Sequence, residues 1–289
     1  MREPVRIALI PNLTRNGVLG VTQSVIEFLH NDGAVLLMSA ELKSIFKQAC
    51  LNFFPSTEQL IQNCDIIITI GGDGTIIHAS KPAARFQKPI LGINMGHLGF
   101  VAGLEPNEIE LLHRLVIGDY TIEKRMMLYI TLKQNNIQKS YYALNDAVIS
   151  RGTLARLIDI DVSMNNGPIC RYHADGLIIA TPTGSSAYSL SAGGPVIEPT
   201  MACLLMTPIC SHALFARPVL FSSESQIMVT AGCDDNSEPY LTIDGEETLM
   251  LKPDDVVTIT SAERVTELIV LKEKTFYKVL NDKFAERGY

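Results

Sequence analysis

The segment Asp65-Ile66-Ile67-Ile68-Thr69-Ile70-Gly71-Gly72-Asp73-Gly74-Thr75 limits what this chain can fold into more than any other. A short β-branched apolar run predicts a buried strand. It stops at two glycines, which permit a turn that larger side chains obstruct. Asp73, a further glycine and Thr75 follow, opening a helix expected to run to Phe86. A carboxylate is thereby held at the carboxyl end of a strand, the edge where open α/β sheets bind ligands. Asp73 is a candidate base. Gly71, Gly72, Gly74 and Thr75 form a loop that lets a bulky anion come close to the main chain.

Strand and helix alternate around this segment. Val5–Ile10 reads as a strand, Pro11–Gly20 as a loop, and Val21–His30 as a helix ending near Gly33. Val35–Met38 is a strand, Glu58–Asn63 a short helix, and Ile90–Asn94 another strand. That order predicts a parallel, doubly wound sheet. After Gly118 the pattern changes. Tyr120–Gln134, Lys139–Ser150, Ile158–Met164, Gly176–Thr181, Arg217–Phe221, Gln226–Thr230, Pro239–Ile243 and Asp255–Thr260 read as strands with few helices between them. Asn165-Asn166-Gly167 is a hairpin cue. The expected fold class is α/β plus mostly-β. An α/β domain covers 1–119, a β-rich domain covers 120–265, and 266–289 returns to the first as a strand and a helix.

With 47% hydrophobic and 19% charged residues, 289 residues can bury a sizeable core, which argues against global disorder. A net charge of −7 argues against nucleic acid as a partner. It leaves room for an anionic substrate, which needs only local donors. The six cysteines form no Cys-x-x-Cys pair and read as reduced thiols. His78, His97, His113 and His212 lack ligand spacing, so no metal site built from protein side chains is expected. No apolar run reaches the ~18 residues of a membrane span. Met1-Arg2-Glu3-Pro4 carries no basic-then-apolar leader. A cytoplasmic protein with no membrane partner is expected.

Neither Gly-x-x-x-x-Gly-Lys-Ser/Thr nor a Gly-x-Gly-x-x-Gly after a strand occurs, which disfavours a P-loop nucleotidase and an ordinary dinucleotide dehydrogenase. The strand after the glycine-aspartate turn ends in Asn94-Met95-Gly96-His97-Leu98-Gly99-Phe100, so neighbouring strands each finish in a glycine-bearing turn. Asn145-Asp146 places an amide and a carboxylate ahead of an apolar run, where buried polar groups need partners. From His173 to Pro195 a strand, a Thr-Pro-Thr-Gly turn and a hydroxyl-rich helix start follow one another. One helix cap accounts for one hydroxyl, not for Thr183, Ser185, Ser186, Ser189 and Ser191 together. His78, one turn beyond Asp73, faces either the same crevice or solvent.

These motifs, in this order, resemble the NAD kinase family over almost the whole chain. The resemblance rests on Gly71-Gly72-Asp73-Gly74-Thr75, Gly92 to Phe100, Asn145-Asp146, Asp175-Gly176 through Gly194, Ala216-Arg217-Pro218 and Ile243-Asp244-Gly245-Glu246. It implies a Rossmann-like amino domain and a β-rich carboxyl domain. It also implies phosphorylation of the 2′-hydroxyl of NAD's adenosine ribose by ATP, with Mg²⁺ or another divalent cation, giving NADP. By the same resemblance Asp73 is the proton acceptor, and Asn145 and Asp146 are adenosine-side contacts. Asp175, Ala187 and Tyr188 touch the nicotinamide or adenine portions, and Thr183, Ser186 and Ser191 supply hydroxyls. Gly74, His78, Arg156, His173 and Glu246 are further NAD contacts, and a homodimer or homotetramer is implied. Asp146 stands where the family usually has Glu, His173 where it often has Arg, and Glu246 where it commonly has Gln. A carboxylate cannot donate the bonds an amide donates. The Trp that many members carry near Lys283-Phe284 is also absent. A lipid or sugar kinase sharing the glycine-aspartate turn, and a catalytically silent NADP-binding sensor, stay open on sequence.

Overall fold

The computed structural model describes residues 3–96, 99–135, 137–152, 156–164, 167–213, 216–232, 238–272 and 276–287. The hairpin residues Asn165 and Asn166, the turn residues His97 and Leu98, and Cys233 lie outside the described residues. So do the side chains of Lys283 and Phe284. The chain divides into two compact units, 1–124 with 266–289, and 125–265.

The amino unit holds strands β1 (Arg6–Pro11), β2 (Val35–Ser39), β3 (Leu51–Phe54), β4 (Ile66–Gly71) and β5 (Ile90–Asn94). Its helices are α1 (Val18–Asn31), α2 (Thr57–Gln62), α3 (Asp73–Phe86) and α4 (His113–Ile117). The strands lie parallel in the order β3-β2-β1-β4-β5, with Leu9 beside Ile68 and Gly71 beside Asn94. Alternation sorts the strand side chains between two faces. Ile7, Leu9, Ile66, Ile68 and Ile70 pack with Val25, Ile26 and Leu29 of α1. Ala8 and Ile67 pack with Leu60 and Ile61 of α2 and Ile76, Ala79 and Ala83 of α3. Helices on both faces are the doubly wound arrangement expected from the alternating pattern.

Two local differences have identifiable causes. Helix α1 starts at Val18 rather than Val21, because Gly17 adopts φ +80° and turns the chain into the helix sooner. Strand β3 was not expected. It is four residues long and ends at Pro55, too short to show a period, yet it pairs with β2 through Met38 and Phe53.

The carboxyl unit is built from β6 (Thr121–Gln134), β7 (Ile137–Ala143), β8 (Asp146–Arg151), β9 (Ile158–Met164), β10 (Gly167–Ala174), β11 (Gly176–Ala180), β12 (Cys203–Ile209), β13 (Val219–Ser222), β14 (Ile227–Gly232), β15 (Pro239–Ile243), β16 (Glu247–Met250) and β17 (Val256–Val270). The one-turn α5 (Tyr188–Ser191) sits among them, and α6 (Phe276–Arg287) ends the chain in the amino unit. Strands β10-β9-β14-β17, with β6 and β7, make one layer. The other is antiparallel, in the order β13-β12-β11-β8-β15-β16. Leu128, Ile149, Ile160, Leu177, Leu204, Val229 and Leu241 fill the space between them, as in a sandwich. The first four residues of β6 and the last residues of β17 belong to the amino unit, where Leu268 pairs in parallel with Ile90 of β5.

The expected strand Lys139–Ser150 is interrupted. It divides into β7 and β8 at Leu144-Asn145, because the Asp244 carboxylate takes the backbone N–H groups there. The helix expected after Thr183 is only a three-residue 3₁₀ turn (Gly184–Ser186) followed by α5. Gly193, at φ +88°, and Pro195 prevent its extension.

Candidate functional site

In the amino unit the helix begins at Asp73 itself, so the carboxylate stands on the first turn, beside N–H groups that favour negative charge. The first of the preceding glycines is sterically required. A Cβ on Gly71 would lie 2.3 Å from Thr75 Oγ1, the hydroxyl that accepts the Gly72 N–H at 3.4 Å. Strand β5 delivers a second turn beside the first, with Met95 N–H donating to Gly71 O at 2.7 Å. The backbone N–H of Phe100 donates to Asp73 Oδ2 at 3.0 Å. The other oxygen, Oδ1, is buried and has no hydrogen-bond partner among the described residues. Gly99 closes over it so tightly that a Cβ there would stand 1.9 Å from Oδ1. Gly74 and His78 are exposed on α3.

In the carboxyl unit antiparallel pairing brings three strand ends to one sheet edge. Asp146 opens β8 opposite Ala180, the last residue of β11, and Ala147 lies opposite Ile243, the last residue of β15. Asn145, Asp146, Ala187, Tyr188, Asp244 and Gly245, with Val148, Ser150 and Thr242, line a cavity of about 370 Å³ at that edge. This falls in the size range of small-molecule sites. Asp244 organises it. At φ +50°, its carboxylate accepts the N–H groups of Leu144 (2.9 Å), Asn145 (2.8 Å) and Asp146 (3.1 Å). Asn145 Oδ1 is buried without a partner among the described residues, a second orphaned acceptor. Burial, and then the neighbouring Asp244 charge, push the Asp146 carboxyl up to about 7.

Asp73 is not among the cavity's lining residues, while Asn145, Asp146, Ala187 and Tyr188 meet there. The hydroxyl-rich loop is largely self-bonded. Thr181 Oγ1 donates to Leu144 O and accepts from Gly184 N–H. Ser185 Oγ donates to Pro182 O and accepts from Ile197 N–H, and Ser189 pairs with Thr207. Ser186 Oγ donates to Thr183 O, and Thr183 Oγ1 accepts from Arg125. Ser191 is exposed. These hydroxyls hold the turn where a longer helix would have used backbone bonds.

The remaining candidates lie elsewhere in the unit. Asp175 is ion-paired with Arg151. His173 meets Asp159 at 3.0 Å, and that contact, with help from Arg171, holds the Asp159 carboxyl below its usual range. Arg156 and Glu246 are exposed. The clamping role of Asp244 is not legible from the sequence. Its one local signal is an Asp-Gly pair at a strand end, which reads equally well as an ordinary turn. Among the described residues, no group of three or more His, Cys, Asp or Glu side chains is placed to hold a metal ion.

Known proteins agree with this architecture. The model of the ATP-NAD kinase N-terminal domain matches residues 7–120, and that of the ATP-NAD kinase C-terminal domain matches 144–271. An NAD kinase of Thermoanaerobacter sp. (strain X514) is 37% identical over 284 residues, covering 98% of this chain and 99% of the relative. An NAD kinase of Symbiobacterium thermophilum is 43% identical over 223 residues, covering 76% and 78%. Among solved structures, yeast NADH kinase complexed with NADH superposes with a TM-score of 0.90 at 24% identity, covering 100% of this chain and 89% of that one. An Archaeoglobus fulgidus NAD kinase in complex with ATP gives 0.73 at 24% identity, covering 97% and 99%. Those two likenesses support the fold. With both domain models matched in order and relatives matched end to end, the chain belongs to the ATP-NAD kinase family, enzymes that use ATP to phosphorylate NAD to NADP.

Proposed function

We propose that Asp73 accepts the proton of the 2′-hydroxyl on NAD's adenosine ribose as that oxygen attacks the γ-phosphorus of ATP. The bond between the γ-phosphorus and its bridging oxygen breaks, ADP leaves, and NADP is formed. A ribose hydroxyl is a poor nucleophile until its proton has somewhere to go. The observation that carries this reading is the orphaned Asp73 Oδ1. Among the described residues it is an acceptor without a donor, on a carboxylate whose other oxygen is fixed by Phe100 N–H. Such a group is costly to keep unless a ligand completes it.

On the nucleotide side, Gly71, Gly72, Gly74 and Thr75 form the loop that receives the donor phosphates, with Gly74 exposed at the start of α3. Asn145 and Asp146 bind the adenosine, with Ala187 and Tyr188 lining the same cavity. The orphaned Asn145 Oδ1 supports this, because an adenine amino group or a sugar hydroxyl would complete it. A divalent cation such as Mg²⁺ would be held mainly by the phosphates, with Asp73 as the nearby carboxylate, and would neutralise charge on the transferring group. A sparse protein donor set suits Mg²⁺, which keeps much of its shell as water and phosphate.

The proposal extends to a cytoplasmic homodimer or homotetramer. Free cysteines support the compartment. Apolar side chains left uncovered on edge strands, such as Leu220 on β13 and Met250 on β16, support self-association.

Asp73→Asn tests the assignment. Incubated with ATP, Mg²⁺ and NAD, the variant is expected to form NADP about 10²- to 10⁴-fold more slowly, with the fold and nucleotide binding retained. Turnover within a few-fold of the parent removes Asp73 from the role.

A further inference from the structure

We propose that Arg15 grips the phosphate tail of the donor nucleotide with its guanidinium edge; this rests on the kinase reading above. The sheet order β3-β2-β1-β4-β5 reverses between β1 and β4. In doubly wound sheets a ligand crevice opens over the carboxyl ends of the two strands at that reversal. Strand β4 delivers Gly71-Gly72-Asp73 there, and β1 delivers the loop that carries Arg15.

That loop has a defined shape. Asn12 N–H donates to Ile70 O at 2.8 Å. Asn12 Oδ1 accepts from Thr14 N–H at 3.2 Å and from Thr14 Oγ1 at 2.7 Å, and Arg15 N–H donates to Asn12 O at 3.2 Å. The guanidinium is thus brought over Gly72, the residue just before Asp73. A Cβ built on Gly72 would stand 2.9 Å from Cζ, Nη1 and Nη2 of Arg15 alike. A point equidistant from those three atoms lies over the flat face of the group, not at its edge. One built on Gly96 would be 3.9 Å from Nη1.

The N–H bonds of a guanidinium lie in its plane, so packing by the face uses none of them. The side chain is exposed, and among the described residues no hydrogen bond or ion pair engages it. A planar fork of unused donors, set against a glycine turn, matches the oxygens of a phosphate. Phosphoryl transfer needs such charge neutralisation, and this chain has no P-loop lysine to supply it.

The test compares the full chain with Arg15→Gln in two readouts. In NADP formation, KM for ATP is expected to rise about ten- to hundredfold, the range for losing hydrogen bonds to a charged group. KM for NAD and the thermal midpoint should stay unchanged, because the side chain is exposed and outside the core. Arg15→Lys should recover part of the loss, keeping the charge without the fork. GTP should show the same factor as ATP, since the contact is to phosphate and not to the base. In calorimetric titration with ATP and Mg²⁺, Kd should weaken by a similar factor. Titration needs no turnover, so it decides the role of Arg15 even where NADP formation, and with it the kinase reading, fails. An unchanged ATP affinity in Arg15→Gln, a loss confined to NAD, or an unmodified chain that binds no ATP overturns the proposal.

Discussion

Each unit sets a polar group with an acceptor orphaned among the described residues at one end of a buried strand, Asp73 Oδ1 after β4 in one and Asn145 Oδ1 just before β8 in the other, but they are held by different means. Asp73 sits in a turn whose conformation comes from its neighbours, Gly71 to Thr75, with one N–H from Phe100 added. Asn145 and Asp146 are held by Asp244, about a hundred residues away in sequence, across the sheet edge. A turn written in consecutive residues can change its reactive side chain without loosening the fold. A long-range clamp joins fold and site, so damage to one is damage to the other.

The largest expected effect breaks that comparison directly. Asp244→Ala leaves the N–H groups of Leu144, Asn145 and Asp146 without their acceptor. The expected destabilisation is about 3 kcal/mol, as for buried donors stripped of a charged partner, read as a lower midpoint in denaturant. KM for NAD should rise with it, because the start of β8 is released. Asp73→Asn should leave the midpoint almost where it was. Equal midpoints for the two variants would dissolve the distinction between local turn and long-range clamp.

The same difference decided what could be read from the sequence. The Asp65–Thr75 segment was legible because an apolar run, glycines and an acid follow one another, and the structure differs in shifting the strand by one residue and in starting α3 at Asp73. The parallel order followed from alternating strands and helices. In the carboxyl unit, Pro239–Ile243 and Ile158–Met164 were legible from alternation. The break at Leu144-Asn145 was not, since nothing within ten residues of it announces a carboxylate supplied from position 244. The hydroxyls of 181–191 pointed outward to a ligand in the sequence. In the structure Thr181, Ser185 and Ser189 are buried and turned inward. Composition reveals how many donors a loop carries, not which acceptors tertiary packing will bring to them.

A second test sharpens the account of the clamp through pH. Asp146 ordinarily titrates near 3.8, and in the folded chain burial and Asp244 raise it to about 7. Below the lower value both folded and unfolded chains are protonated there. Between the two values the unfolded chain ionises while the folded chain keeps its proton, so folding stability falls as pH rises through this window. Above about 7 both are ionised and the contribution levels off. Asp146→Asn removes this dependence. Measured by denaturant titration from pH 4 to 8, the stability of the variant relative to the parent should climb up to about pH 7 and then flatten. The climb should total on the order of 2 kcal/mol, since the acid lines a cavity and water eases part of its burial. A flat difference across that range would mean that burial, together with the Asp244 charge, does not raise the Asp146 carboxyl.

The smallest expected effect comes from the glycines, and it asks whether the amino turn is shaped for the fold or for a ligand. Gly184 belongs to the fold, since a Cβ there would lie 2.1 Å from the backbone oxygen of Asn145. Gly74 differs. It lies within α3 at an ordinary φ, and a Cβ would meet nothing within 4 Å. Alanine is the better helix former, so Gly74→Ala should leave stability unchanged or raise it by up to about 0.5–1 kcal/mol. If the open space is where donor phosphates approach the main chain, the added methyl group should raise KM for ATP a few-fold and leave KM for NAD alone. A variant as stable as the parent with unaltered ATP kinetics would show that the space above Gly74 is solvent, and would confine the donor loop to Gly71, Gly72 and Thr75.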